Sequence, residues 1–105
     1  MLFSIGAALL DACVLSALRE KDTYGYVLTQ TLKEKIEISE STLYPVLRRL
    51  QKDAFLSTYD VPWQGRKRRY YAITDKGREM ASEYKTAWTD FRGRVDGLIM
   101  GGAIS

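Results

Sequence analysis

With 105 residues, 46% of them apolar and 28% charged, the chain has the composition of one globular domain with a small core. It contains no histidine and one cysteine, Cys13. That excludes a histidine base, a histidine metal ligand, an intrachain disulfide and a multi-cysteine zinc site; the formal charge of +3 favours a polyanionic partner.

The first predicted helix covers about residues 4–20. Residues 1–18 are apolar enough to resemble a signal peptide, but no basic residue precedes the run and Asp11 interrupts it. A buried amphipathic helix is the better reading, with Leu9, Ala12, Cys13, Leu15 and Leu18 turned inward. It points to a reducing, cytoplasmic setting, with Cys13 as a small core hydrophobe. Asp22 or Thr23 caps a second helix over about 24–35, whose apolar stripe is Val27, Leu28 and Leu32. Ile36-Glu37-Ile38 alternates as a very short strand would.

Ser39 or Ser41 then caps a third helix running to about Asp53, with Leu43, Val46, Leu47 and Leu50 inward. Pro45 conflicts with a helix interior, so the helix either starts near Ser41 or bends at the proline. Phe55 to Val61 reads as a strand, Pro62-Trp63-Gln64-Gly65 as a turn, and Arg69 to Ile73 as the returning strand. Thr74 caps a last helix reaching about residue 99. Its apolar positions Met80, Tyr84, Ala87, Trp88, Phe91, Val95 and Leu98 are spaced three and four apart, as a helix–helix seam requires. Gly101-Gly102 and Ser105 should fray.

This order defines a mainly α fold with a small β-hairpin: a winged helix-turn-helix plus a long C-terminal dimerisation helix. Residues 1–73 form the DNA-binding part and 74–105 the dimerisation helix, within one compact unit. The positive charge belongs to residues 39–73, which carry seven basic and three acidic side chains, net +4; residues 1–38 are net −1 and 74–105 neutral.

In such a fold the third helix enters the major groove and the hairpin tip follows the backbone or enters the minor groove. Ser41, Pro45, Arg48 and Lys52 share the helix face opposite the leucines, with Thr42, Tyr44 and Arg49 beside it. Arg48 forks onto a guanine edge or a phosphate. Gln64, Gly65, Arg66, Lys67 and Arg68 form the tip, where adjacent cations repel one another unless a polyanion meets them. Tyr70 and Tyr71 project to opposite faces, one onto the core and one toward DNA. Tyr24 and Tyr70 complete the candidate contact set.

Tyr24-Gly25-Tyr26, Ser41-Thr42-Leu43-Tyr44-Pro45-Val46-Leu47-Arg48-Arg49-Leu50, Gly65-Arg66-Lys67-Arg68-Arg69-Tyr70-Tyr71 and Thr74-Asp75-Lys76-Gly77 together resemble the PadR family of transcriptional regulators, over about residues 9–91. The resemblance implies a homodimeric repressor of the compact branch, reading inverted-repeat double-stranded DNA, with the first and last helices building the dimer. Leu9, Tyr84, Trp88, Phe91 and Val95 are then the dimer or ligand interface. Trp88 matches a tryptophan that packs the interface and, in some relatives, stacks on flat aromatic effectors; plain interface packing is the stronger reading. Ala54 stands where relatives commonly have glycine. Gly93 and Gly97 weaken the end of the last helix. No cofactor, metal, membrane partner or enzymatic activity is expected.

Overall fold

A computed structural model describes residues 2–101. Its elements are α1 (Ala7–Ala17), β1 (Thr23–Tyr24), α2 (Gly25–Ile36), α3 (Glu40–Lys52), β2 (Leu56–Trp63), β3 (Arg66–Ile73) and α4 (Asp75–Ile99). The three strands form one antiparallel sheet in the order β1-β3-β2. Gly102 and Ser105, expected to fray, lie outside the described residues.

Leucines from three helices make the core. Leu15, Leu18, Leu28, Leu43, Leu47 and Leu50 are all fully buried, joined by Val14 and by Leu56 at the start of β2. Each leucine so placed contributes about 1.5–3 kcal/mol relative to an exposed one. The expected inward set of α3 is therefore met, with Val46 half-buried at its margin. In α1 the inward face is rotated: Leu10, Asp11, Val14 and Leu15 are buried within the helix, while Leu9, Ala12 and Cys13 are half-buried and face a groove beside α4. Val27, placed on the apolar stripe of α2, is exposed instead, and Thr29 takes the buried position, its hydroxyl donating to the Tyr26 carbonyl at 3.0 Å.

The segment ends carry the remaining corrections. Neither Asp22 nor Thr23 caps α2; Tyr24 occupies that position without a side-chain bond, because Thr23 and Tyr24 are paired with Tyr71 and Tyr70 in the sheet. Ile36-Glu37-Ile38 forms no strand: Ile36 ends α2, Glu37 adopts a left-handed conformation (φ 50°), and Ile38 drops into the core. Pro45 is accommodated inside α3, which starts at Glu40. Its missing N–H removes the bond to the Ser41 carbonyl, and both residues lie on the exposed side.

A tight joint connects α3 to α4. Ala54 N donates to the Gln51 carbonyl at 3.1 Å and Phe55 N to the Leu50 carbonyl at 2.9 Å, the paired bonds of a Schellman ending. The left-handed residue in it is Ala54 (φ 63°), where glycine would sit without strain. Thr74 caps α4 by accepting from Gly77 N at 3.0 Å, while its hydroxyl lies 2.7 Å from the Ala54 carbonyl and 3.1 Å from that of Phe55. Lys76 Nζ reaches the Asp53 carbonyl at 2.8 Å. Gly77 is required by this approach: a Cβ there would stand 2.2 Å from the Phe55 carbonyl oxygen.

Candidate nucleic-acid interface

The amphipathic pattern of α3 leaves one face bare once its leucines are buried. Ser39 caps the helix, its hydroxyl accepting from Thr42 N at 3.3 Å. The same oxygen lies 3.0 Å from both the Ser41 and the Thr42 hydroxyls, so three small hydroxyls cluster where the free N–H groups of the first turn point. Ser41, Thr42, Tyr44, Pro45, Arg48 and Lys52 are all exposed. Arg49 differs from the rest of the candidate set. Its guanidinium is bound to the Asp11 carboxylate of α1 at 2.5 Å, and that hydrogen bond holds its proton more tightly than usual.

The hairpin is longer than the sequence implied. Pro62 and Trp63 belong to β2, and Arg66 to Arg68 to β3, with Pro62 opposite Lys67 and Trp63 opposite Arg66. Only Gln64 (φ 48°) and Gly65 (φ 77°) form the turn. Positive φ at both central residues is the two-residue turn whose twist matches paired strands. Pro62 is tolerated because β2 is an edge strand. Arg66, Lys67 and Arg69 are exposed, but Arg69 lies 3.4 Å from Asp60.

Alternation in the strands sorts the hairpin's side chains. Tyr71 is half-buried against the core, and this burial raises its phenol pKa. Tyr70 lies on the outer face, as the alternation requires, stacked on Tyr59 at 5.6 Å and 12° and tilted against Tyr24 at 5.9 Å. Tyr59 donates its hydroxyl to Asp22 Oδ2 at 2.7 Å, a bond that favours the neutral phenol and raises its pKa. Arg68 is also drawn into this face, 4.6 Å from the centre of the Tyr24 ring and 4.2 Å from that of Trp63. The sequence reading missed Tyr59 and Trp63. The period-two pattern Tyr59, Val61, Trp63 would have found them once the turn was placed at Gln64-Gly65.

A second feature lies between α1 and α4. An apolar groove of about 550 Å³ is lined by Leu9, Ala12, Cys13, Tyr84 and Trp88 among others. Desolvation raises the pKa of both the Cys13 thiol and the Tyr84 phenol. Trp88 is 40% exposed and its ring sits 6.3 Å from that of Phe91. Phe91 and Val95 lie farther along α4, whose apolar side chains Phe91, Leu98 and Ile99 remain exposed. Among the described residues no cluster of three or more metal-ligating side chains occurs, and no helix is long and apolar enough to cross a membrane.

Three helices, a paired hairpin and a cationic α3 face define the winged helix-turn-helix class of regulators. The family model of the "Transcriptional regulator PadR-like family" matches residues 14–83, and the chain belongs to that family. Its members are transcriptional regulators rather than enzymes. The crystal structure of smu.1704 from Streptococcus mutans is similar over 100% of this chain and 99% of its own, with TM-score 0.87 and 36% identity. The transcriptional regulator Rv3488 of Mycobacterium tuberculosis is 33% identical, covering 80% of this chain and 79% of its own. Bacillus subtilis PadR, solved in complex with operator DNA, shares the fold at TM-score 0.63 and 23% identity over 72% of this chain and 46% of its own.

Proposed function

We propose that the chain is a homodimeric, sequence-specific repressor that acts in the cytoplasm on an inverted-repeat operator. One observation carries this reading: α3 leaves Ser41, Thr42, Tyr44, Arg48 and Lys52 exposed, and the hairpin that follows it in the chain leaves Arg66 and Lys67 exposed. Arg48 reads a base edge, Lys52 and the wing cations meet phosphates, and the first-turn hydroxyls donate to the backbone. Arg49 is reassigned from the contact set to holding α3 on α1, because its charge is matched by Asp11. Residues 1–73 carry the reading function and residues 74–105 the dimer seam, where α4 presents Trp88, Phe91, Val95 and Leu98 to a second copy. Half-site centres then lie about one helical turn apart.

The test is to select bound duplexes from genomic DNA with the purified chain and measure affinity by anisotropy. A shared inverted repeat bound by a dimer is the expected result. A monomer by sedimentation, or equal affinity for operator and random duplex, overturns the reading.

The groove favours a second role. Its apolar walls and half-exposed indole suit a flat aromatic effector whose binding releases DNA. Such a ligand switches the protein only if it distinguishes two dimer arrangements. Titration of planar aromatic compounds, read by Trp88 emission in a Trp63→Phe variant and by DNA release from the unmodified chain, tests it. Ligand binding without a change in DNA affinity sinks the switch.

A further inference from the structure

We infer that Arg68 is a positioning residue that clamps the wing to the start of α2, and not one of the cations that meet phosphate; this rests on the wing contacting DNA as proposed above. β3 is the central strand of the sheet; Arg68 pairs with Val61 of β2 and lies two residues before Tyr70, the partner of Tyr24 in β1. It is gripped from each side: by the Tyr24 ring of β1 at 4.6 Å and by the Trp63 ring of β2 at 4.2 Å. Its neighbours Arg66 and Lys67 are exposed, whereas Arg68 is half-buried. Tyr24 is at once the last residue of β1 and the N-cap residue of α2. The grip therefore joins the cationic end of the wing to the first helix of the helix-turn-helix pair.

The rest of the outer face reinforces the joint. Tyr24 meets Tyr70, Tyr70 stacks on Tyr59, and Tyr59 donates to Asp22, just before β1. A two-residue β1 supplies little backbone pairing of its own. The ring and guanidinium contacts supply what the short strand lacks. An arginine is suited to this place because its planar, weakly hydrated head can be faced by rings on both sides, which a lysine ammonium cannot match. Four consecutive basic residues thus divide by role: Arg69 beside Asp60, Arg68 between rings, and Arg66 and Lys67 turned to solvent.

Emission is read on the full chain carrying Trp88→Phe, so that Trp63 is its only indole, and DNA binding on the chain that keeps Trp88. In the free protein Arg68→Gln shifts Trp63 emission, and Lys67→Gln leaves it in place. On a duplex selected by the unmodified chain, Lys67→Gln flattens the salt slope by about 0.9. Arg68→Gln instead lowers affinity roughly fivefold to tenfold at constant slope, the scale of losing one or two cation–ring contacts. Arg68→Lys does not restore it. Trp63→Leu, which changes no charge, reproduces the loss, and adding Arg68→Gln to it costs little more. A slope reduced by about 0.9 in Arg68→Gln and rescued by lysine overturns the inference and makes Arg68 a phosphate ligand. Additive losses in the double variant overturn it too. Failure of every duplex to bind the unmodified chain removes the DNA reading itself; the clamp then stands or falls on the free-protein emission, and an unmoved spectrum overturns it.

Discussion

Asp11 of α1 and Arg49 of α3 form an ion pair that ties the helix beside the apolar groove to the second helix of the helix-turn-helix pair. The acid is buried and its partner half-exposed. Tyr84, which lines the groove, lies within the field of both. Removing Arg49 leaves a desolvated carboxylate without its cation, whereas removing the exposed neighbour Arg48 leaves nothing buried unpaired. We expect Arg49→Ala to lose about 1–3 kcal/mol in urea unfolding and Arg48→Ala to lose almost none. Their effects on operator discrimination should run in the opposite order. Equal stability for the two variants would remove the pair from the fold's support.

Gly77→Ala should be severely destabilising. The new methyl would sit 2.2 Å from the Phe55 carbonyl oxygen and 2.7 Å from the Ile73 side chain. The backbone oxygen cannot yield without opening the α3–α4 joint. A loss above about 3 kcal/mol is the expected scale for overpacking against fixed backbone, visible as a fall in Tm.

Ala54→Gly should do the reverse. The left-handed conformation costs an alanine roughly 1–2 kcal/mol, and glycine's freedom when unfolded returns part of that. A net gain of about 0.5–1 kcal/mol follows, or several degrees of Tm for a domain this small. An unchanged or lower Tm would show that the joint does not strain the residue.

Arg66→Ala with Lys67→Ala should weaken binding to all duplexes and flatten the salt slope by about 1.8, at about 0.9 per phosphate. Arg48→Ala should instead narrow the gap between operator and random DNA. A double variant with the parental slope would take the wing out of the interface.

Cys13 gives a test in pH. Burial raises its thiol pKa, so at a given pH less thiolate is present than for a free cysteine. The folded chain holds this proton more tightly than the unfolded chain does. The stability this contributes is intact below the ordinary thiol range and fades as pH rises through and above it. Alkylation near pH 8 should run slower than for a free thiol and accelerate on unfolding in urea. A rate equal to that of the free thiol would place Cys13 in open solvent.

Much of this was legible in the chain because it is local. The spacing of Leu43, Leu47 and Leu50, a cap at Ser39 or Ser41, of which Ser39 serves, and the cap at Thr74 each depend on residues within a turn or two. What escaped depends on pairing across distance. β1 is two residues long and carries no periodicity, so nothing marked Thr23 and Tyr24 as a strand until β3 was there to receive them. The Asp11–Arg49 bond joins residues 38 apart, and no pattern in either helix announces it. The register of the hairpin decided the rest: moving the turn to Gln64-Gly65 carried Arg66, Lys67 and Arg68 from an assumed loop into a strand, and set Trp63 across from Arg66.

Because pairing continues to Trp63 and Arg66, backbone bonds to β2 hold Arg66, Lys67 and Arg68 in a strand. Cationic arms that are disordered when free lose conformational entropy upon docking, and their attachment is weakened accordingly. Here that loss is absorbed when the polypeptide folds, so contact with a double helix begins from a preset shape.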